Sequence, residues 1–300
     1  MANITDPKVK LAFMEGVKSR PKNFLEFCKV FPSDGSSEII NWFGAMQDYR
    51  KWVGENVFNS LTHEYSITAK NQRWQDGVDA GDTIGRTRLD PVVRGLIASL
   101  GARAVSKMNR LFWSYIEGGT AITGDLGAAF DGRPFFDATH VYGGAAAAAF
   151  SNILTGSGTD YDNITDDLYA AITSFSNMYN DAGVEKLFDD PASGLVAVYP
   201  VALKQSFDQA FASIMSSSDN TVNRYNIKGM PMGLLSDTSD WYVFKLDDAD
   251  HMPMFHTVVK DLMIETIKPD TMVKSNRHSG YFDVGWAYGD YRSARKVNNT

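Results

Sequence analysis

Residues 89–119 read LDPVVRGLIASLGARAVSKMNRLFWSYIEGG, and their spacing predicts one long helix. Asp90 stands ready as the N-cap, Pro91 suits the first helical position, where a missing N–H costs nothing, and Gly118-Gly119 supplies the stop. Val93, Ile97, Leu100, Ala104, Met108, Leu111 and Tyr115 recur every three or four residues and draw one apolar stripe. At about 1.5 Å of rise per residue the helix spans roughly 40 Å, long for a globular protein. Gly95 and Gly101 weaken it, so each is expected to mark a bend or a close contact. Arg94, Arg103, Lys107 and Arg110 make the remaining surface basic.

Upstream, EYSITAK (64–70) alternates, with Tyr65, Ile67 and Ala69 on one face, which predicts a strand. QDGVDAGDTIG (75–85) then repeats Asp-Gly and Gly-Asp turn chemistry, with Gly77, Gly81 and Gly85 as turn residues. A hairpin so poor in large apolar residues has little to bury by itself and is expected to lie against another subunit. The first 35 residues carry Phe13, Phe24, Phe27 and Phe31 and read as short helices broken at Pro21, with little room for a core of their own.

Downstream, NITDDLYAAITSFSNMYND (163–181) predicts a helix capped by Asn163 or Thr165, with Leu168, Ile172, Phe175 and Tyr179 on one face. GLVAVY (194–199) is a buried strand, and Pro200 opens a helix carrying Leu203, Phe207, Phe211 and Ile214. DWYVFKL (240–246), HTVVKDLMIETI (256–267) and GYFDVGWAYGDY (280–291) are further strands, and the tail RKVNNT (295–300) is expected to fray.

Composition limits the function. The chain has 300 residues, a net charge of -7 and one cysteine, Cys28, expected to be a small buried hydrophobe. An acidic chain is a poor general nucleic-acid binder, a single cysteine forms no intramolecular disulfide, and neither a signal peptide nor a membrane span is expected. A soluble protein of a reducing cytoplasm follows. The basic run from Arg86 to Arg110 and the acidic run from Asp160 to Asp190 could meet across a subunit boundary.

DGRPFFDATHVYGG (131–144) is the one stretch that tempts a catalytic reading. A metal-dependent hydrolase would use Asp137, His140 and His256. The simpler reading is a connector. Pro134 fixes the chain, Phe135 and Phe136 anchor it, Asp131 and Asp137 satisfy turn amides, and the histidines, His140 included, lie in loops or on the surface. No phosphate loop or serine elbow appears, and no cofactor is implied.

Three segments together resemble the major head subunit of Mu-like phages. Trp42 and Gly44, then Arg50, Trp52 and Gly54, then Tyr65–Thr68, and finally Asp131–His140 reproduce, in order, a W-x-G step, an R-x-W-x-G motif, a Y-S-I-T strand and a D-G-x-P-F-F-D-x-x-H loop. The resemblance covers most of residues 40–145. It implies an α+β chain with the Hong-Kong-97-type capsid fold. On that pattern residues 1–35 form an N-arm, 36–59 a segment leading into the peripheral (P) domain, and 60–86 an extended E-loop hairpin. Residues 87–150 are the P-domain spine helix and connector, 151–252 the axial (A) domain, and 253–300 the P-domain return strands and tail.

The implied function is structural and not enzymatic: copies assemble as hexamers and pentamers into an icosahedral phage head around double-stranded DNA. Implied partners are other copies, a separate scaffold protein, a portal and decoration proteins, with no membrane. The location is the virion, assembled in the host bacterial cytoplasm. An encapsulin-like nanocompartment shell is the alternative on the same fold. Arg50, Trp52, Lys70, Arg73 and Trp74 are the expected inter-subunit contacts.

Overall fold

A computed structural model of the chain describes residues 6–43, 63–79, 91–141, 149–179, 186–215, 227–247, 250–267 and 277–299. Helix α1 (Pro7–Lys18) leads through a 3-10 turn (Asn23–Phe27) into β1 (Cys28–Pro32), β2 (Ser37–Phe43) and β3 (His63–Asp79). The long helix α2 (Pro91–Glu117) follows, then β4 (Ile153–Thr155), α3 (Tyr161–Ser176), β5 (Leu195–Pro200) and α4 (Lys204–Met215). The chain ends with β6 (Lys228–Met232), β7 (Trp241–Lys245), β8 (Met254–Ile267), β9 (Arg277–Tyr288) and β10 (Ala294–Asn298). Two five-stranded sheets result, ordered β1-β8-β9-β3-β2 and β4-β10-β7-β5-β6.

The second sheet explains its own sequence. Along β5, Val196 and Val198 face the core shared with α2 and the first sheet, while Leu195, Ala197 and Tyr199 face a second core under α3 and α4. Tyr242 and Phe244 of β7 join the first set, Trp241 and Val243 the second. A strand covered on both faces has no polar side to show, hence the unbroken apolar run. Phe207 of α4 stacks on Tyr199 at 3.8 Å and meets Trp241 edge-on at 5.0 Å.

The N-terminal segment is part of the main core. Phe24 and Phe27 are fully buried, with Phe24 edge-on to Trp286 of β9 at 4.9 Å and Phe27 edge-on to Trp113 of α2 and Phe244 of β7. Their rings draw Phe112 and Trp113 inward, so beyond Leu100 the buried face of α2 runs Gly101, Val105, Met108, Phe112, Trp113 and Ile116. The expected Ala104, Leu111 and Tyr115 end half-buried beside it. Helix α1 crosses α2 at backbone contact. A Cβ on Gly16 would stand 1.8 Å from the Ala98 carbonyl oxygen, and one on Gly101 2.3 Å from that of Phe13. Gly101 is therefore a close contact, whereas Gly95 meets nothing within 4 Å.

Other sequence expectations change. Asp76-Gly77 is no hairpin turn: β3 runs straight through it, paired from Lys70↔Trp286 to Asp79↔Arg277 on β9. Within the chain, His63–Lys70 pair with β2 and Lys70–Asp79 with β9. Gly81 and Gly85, like the Asp90 cap, lie outside the described residues. Helix α3 begins one turn earlier than expected, at the cap position Asp160, leaving Asn163 and Thr165 inside it. The tail does not fray. It forms β10, parallel to β4 and antiparallel to β7, and so joins the second sheet. Cys28 is buried as expected, and burial pushes its thiol up.

The histidines overturn the surface reading, since His140, His256 and His278 are all buried. His256 lies between Phe24 and Trp286, its Nδ1 3.2 Å from the Gly285 carbonyl. Burial pushes its imidazole down to about 4, against the pull of that carbonyl. Burial also lowers His278.

Two predictions follow from this packing. Gly16→Val or Gly101→Val destabilises the fold by at least about 1–3 kcal/mol, as overpacking does, while Gly95→Ala is neutral or gains up to about 1 kcal/mol; urea denaturation followed by circular dichroism separates the three. The second concerns pH. The unfolded chain takes up the His256 proton near pH 6.5 and the folded chain only near 4, so stability falls as pH drops across that window. The loss from His256 is about 3 kcal/mol, and His256→Leu flattens the dependence of the thermal midpoint on pH between those limits.

Candidate functional site

The connector after α2 is built from tight turns. Gly132, at φ 78°, lets the chain reverse so that the Gly132 N–H donates to Ala129 O and the Ala129 N–H to Arg133 O. The Asp131 carboxylate accepts the Arg133 N–H at 3.1 Å, and Asp137 accepts the Thr139 N–H at 2.7 Å and its hydroxyl at 2.6 Å. Burial acts to raise Asp137, but the Thr139 bonds, with His140 and Arg133 nearby, hold it below the ordinary carboxylate range. These are the turn roles expected of the two acids.

His140 does something the sequence did not suggest. Its Nδ1 sits 2.7 Å from Asp131 Oδ2, its Nε2 lies 3.2 Å from the Phe135 carbonyl, and its ring stacks on Tyr291 at 3.9 Å. Both ring nitrogens are engaged, so neither lone pair is available to a metal. His256 is held separately in the first sheet. Among the described residues no group of three or more His, Cys, Asp or Glu could hold a metal ion. The hydrolase reading of Asp137, His140 and His256 therefore fails on geometry. Of the other two described histidines, His251 lies with Nδ1 2.6 Å from Asp290 Oδ2, and the buried His278 has Nδ1 3.1 Å from the Thr266 hydroxyl.

What the connector does is join the two sheets. Phe135 stacks on Tyr288 of β9 at 4.9 Å, and Phe136 packs against Tyr242 of β7 at 5.5 Å. Asn152 donates from Nδ2 to the carbonyls of Phe135 and Tyr291, and its Oδ1 accepts the Asp137 N–H. Phe130 stacks on Tyr291 at 4.5 Å. All these contacts converge where the chain leaves β9 and turns into β10, that is, where it passes from one sheet to the other. Sequence reasoning missed the polar centre of this crossing: Asp290 is fully buried, accepting from the Arg292 guanidinium and facing His251. Burial pushes Asp290 up, yet Arg292 and His251 outweigh it and hold the carboxyl well below its usual range. Three charged residues inside GDYRSAR (289–295), flanked by apolar strands, were the available signal.

The expected assembly residues divide three ways. Arg50 and Trp52 lie outside the described residues. Lys70 is exposed on β3, with Nζ 3.3 Å from the Gly124 carbonyl. Arg73 and Trp74 already have partners in their own chain: the Arg73 guanidinium lies 4.1 Å over Tyr281, and Lys107 Nζ lies 4.3 Å over the half-buried Trp74 ring. No described helix is long and apolar enough to cross a membrane.

Asp131→Ala should remove the acceptor from the Arg133 amide and the His140 imidazole, costing about 1–3 kcal/mol for each buried donor left unpaired. Chemical denaturation checks this. A chelator added to the native chain should leave its unfolding midpoint unchanged.

Comparison with known proteins gives one family and one fold. The family described as Mu-like prophage major head subunit gpT matches residues 4–170. No curated protein matches the chain. Among solved structures, a virus-like particle from Pyrococcus furiosus is similar over 97% of this chain and 98% of that one, at 11% identity and a TM-score of 0.56. The capsid of Cyanophage P-SCSP1u is similar over 92% of this chain and 88% of that one, at 12% identity and a TM-score of 0.56. The procapsid of bacteriophage JBD30 is similar over 98% and 73% respectively, at 14% identity and a TM-score of 0.53.

Proposed function

Because the chain belongs to the Mu-like prophage major head subunit family, and is thus a structural capsid protein and not an enzyme, we propose how its copies build the head. They close as hexamers and pentamers into an icosahedral shell around double-stranded DNA. The shell is assembled in the host bacterial cytoplasm with a separate scaffold, a portal and decoration proteins. The observation that carries this reading is the family match across residues 4–170, with the capsid fold extending the likeness over nearly the whole chain. The nanocompartment alternative shares the fold, and the family match favours the head.

In this reading residues 1–35 are the N-arm and 36–59 lead into the P-domain. Residues 60–86 are the E-loop, α2 is the spine helix, 151–252 with α3 and α4 are the A-domain, and 253–300 return to the P-domain through β8 and β9, with β10 at their end pairing back into the second sheet. Physical considerations support a tiling role. Two sheets on a common core make a stiff plate, and a plate touching neighbours on several edges gains stability from many moderate interfaces of about 1,600 Å² each. Moderate contacts also let misplaced copies leave. A net charge of -7 keeps the wall from gripping the phosphate backbone it would enclose.

Sedimentation of the purified chain, with negative-stain microscopy of the fast fraction, tests the proposal. Closed shells or ring-shaped capsomers are expected. A chain that stays a monomer even when expressed with its scaffold would overturn it.

A further inference from the structure

We propose that the basic strip of α2 is the docking surface for the acidic edge of α3 on a second copy of this chain. The inference rests on the assembly reading above and names one of its contacts. Between α2 and β3 lies a cleft of about 360 Å³ lined by Trp74, Asp76, Leu100, Arg103, Lys107 and Arg110 among others. Arg103 and Arg110 are exposed, and Lys107 lies along the Trp74 ring. Arg103 meets Asp76 at 2.9 Å, but both side chains are more than half exposed, so the pair is weak and an incoming carboxylate can exchange with it. Three cations against one carboxylate leave the cleft two charges positive.

The matching surface is the outer edge of α3. Asp160, Asp162 and Asp166 are exposed there, and among the described residues none of them pairs with a lysine or arginine. Tyr161 and Tyr169 stand exposed beside them, while the one acid turned inward, Asp167, is used by the Ser157 amide and hydroxyl. Asp162, Asp166 and Tyr169 repeat the i, i+4, i+7 spacing of Arg103, Lys107 and Arg110. Each set therefore lies on a single helix face and covers about 10 Å. Two helices laid together can set carboxylates on Arg103 and Lys107 and the Tyr169 ring on the Arg110 guanidinium, which stacks well on aromatic faces.

The occupant has to be another copy. Within one chain α3 covers the second core, on the face of the second sheet opposite the core that α2 shares, so the acidic edge cannot reach its own α2. Asp76 in the cleft and the acidic whole chain make nucleic acid the poorer partner. Basic strip on one copy and acidic edge on the next form a head-to-tail contact, the kind that closes into rings.

Charge reversal tests this in the full chain expressed with its neighbouring head-assembly proteins. Arg103→Glu with Arg110→Glu, and separately Asp162→Lys with Asp166→Lys, should each lower the shell fraction in sedimentation by about tenfold, because like charges then face each other. All four substitutions in one chain should restore shells, because strip and edge are then complementary in every copy; mixing the two reversed chains should restore the contact only where they alternate, as in six-membered rings and not in five-membered ones. Should a reversed chain fail to fold by circular dichroism, Arg103→Gln with Arg110→Gln replaces it, with a flatter salt dependence of assembly expected. Wild-type shells with undiminished assembly of the reversed chains would overturn the contact alone. So would a loss from α2 reversal that α3 reversal does not rescue, the result expected if scaffold or DNA occupies the strip. A wild type that forms no shell in the same cells would overturn the assembly reading and this contact with it.

Discussion

Burial of the second sheet on both faces is the constraint from which the rest of the architecture follows. A sheet with two apolar faces needs two covering layers, and the chain provides them from opposite directions. On one side α3 and α4 are local, lying between or beside the strands they cover in sequence. On the other side the cover is remote: α2, the N-terminal phenylalanines and the first sheet. Phe27 shows how close the join is, touching Trp113 of α2 and Phe244 of β7 at once. The two sheets are therefore faces of one solid.

The connector makes that join directional. Aromatic contacts alone would let two layers slide, because apolar surfaces have little orientational preference. Asn152, Asp131 and His140 add hydrogen bonds, which fix angle as well as distance. They are buried, so leaving any of them unpaired is costly, and the arrangement resists shear. For a subunit that must present the same edges in every copy, such fixed geometry is what the loop contributes.

Much of this was legible in the sequence, and the failures share a cause. The long helix was visible because its start, stop and stripe are local signals, and β5, β7 and β9 because their periodicity is local too. Asp76-Gly77 read as a turn since nothing nearby reveals that β9, some two hundred residues later, pairs with it. The tail read as frayed for the same reason, its partners β4 and β7 being distant. Helix α3 starts one turn before Asn163 with no side-chain cap: the Asp160 carboxylate makes no capping bond, and the first turn closes by the Ile164 N–H donating to the Asp160 carbonyl, which no cap residue in the sequence announces. At the candidate site the Asp131 and Asp137 turn bonds were readable from Asx chemistry, whereas the burial of His140 depends on Tyr291 and could not be. The function came through ordered motifs, not through any one residue.

The place of β10 bears on how a subunit is made. It lies between β4 and β7, yet it follows every other strand of its sheet in the chain. While the preceding residues emerge from a ribosome, that sheet has a gap where β10 belongs, and β4 has no strand to pair with. Chains interrupted before Ala294 leave the gap open, so the lower surface of α3 and the crossing at Asp290 stay incomplete. The second sheet can therefore close only once the chain has been made past Asn298, which places its completion at the end of synthesis.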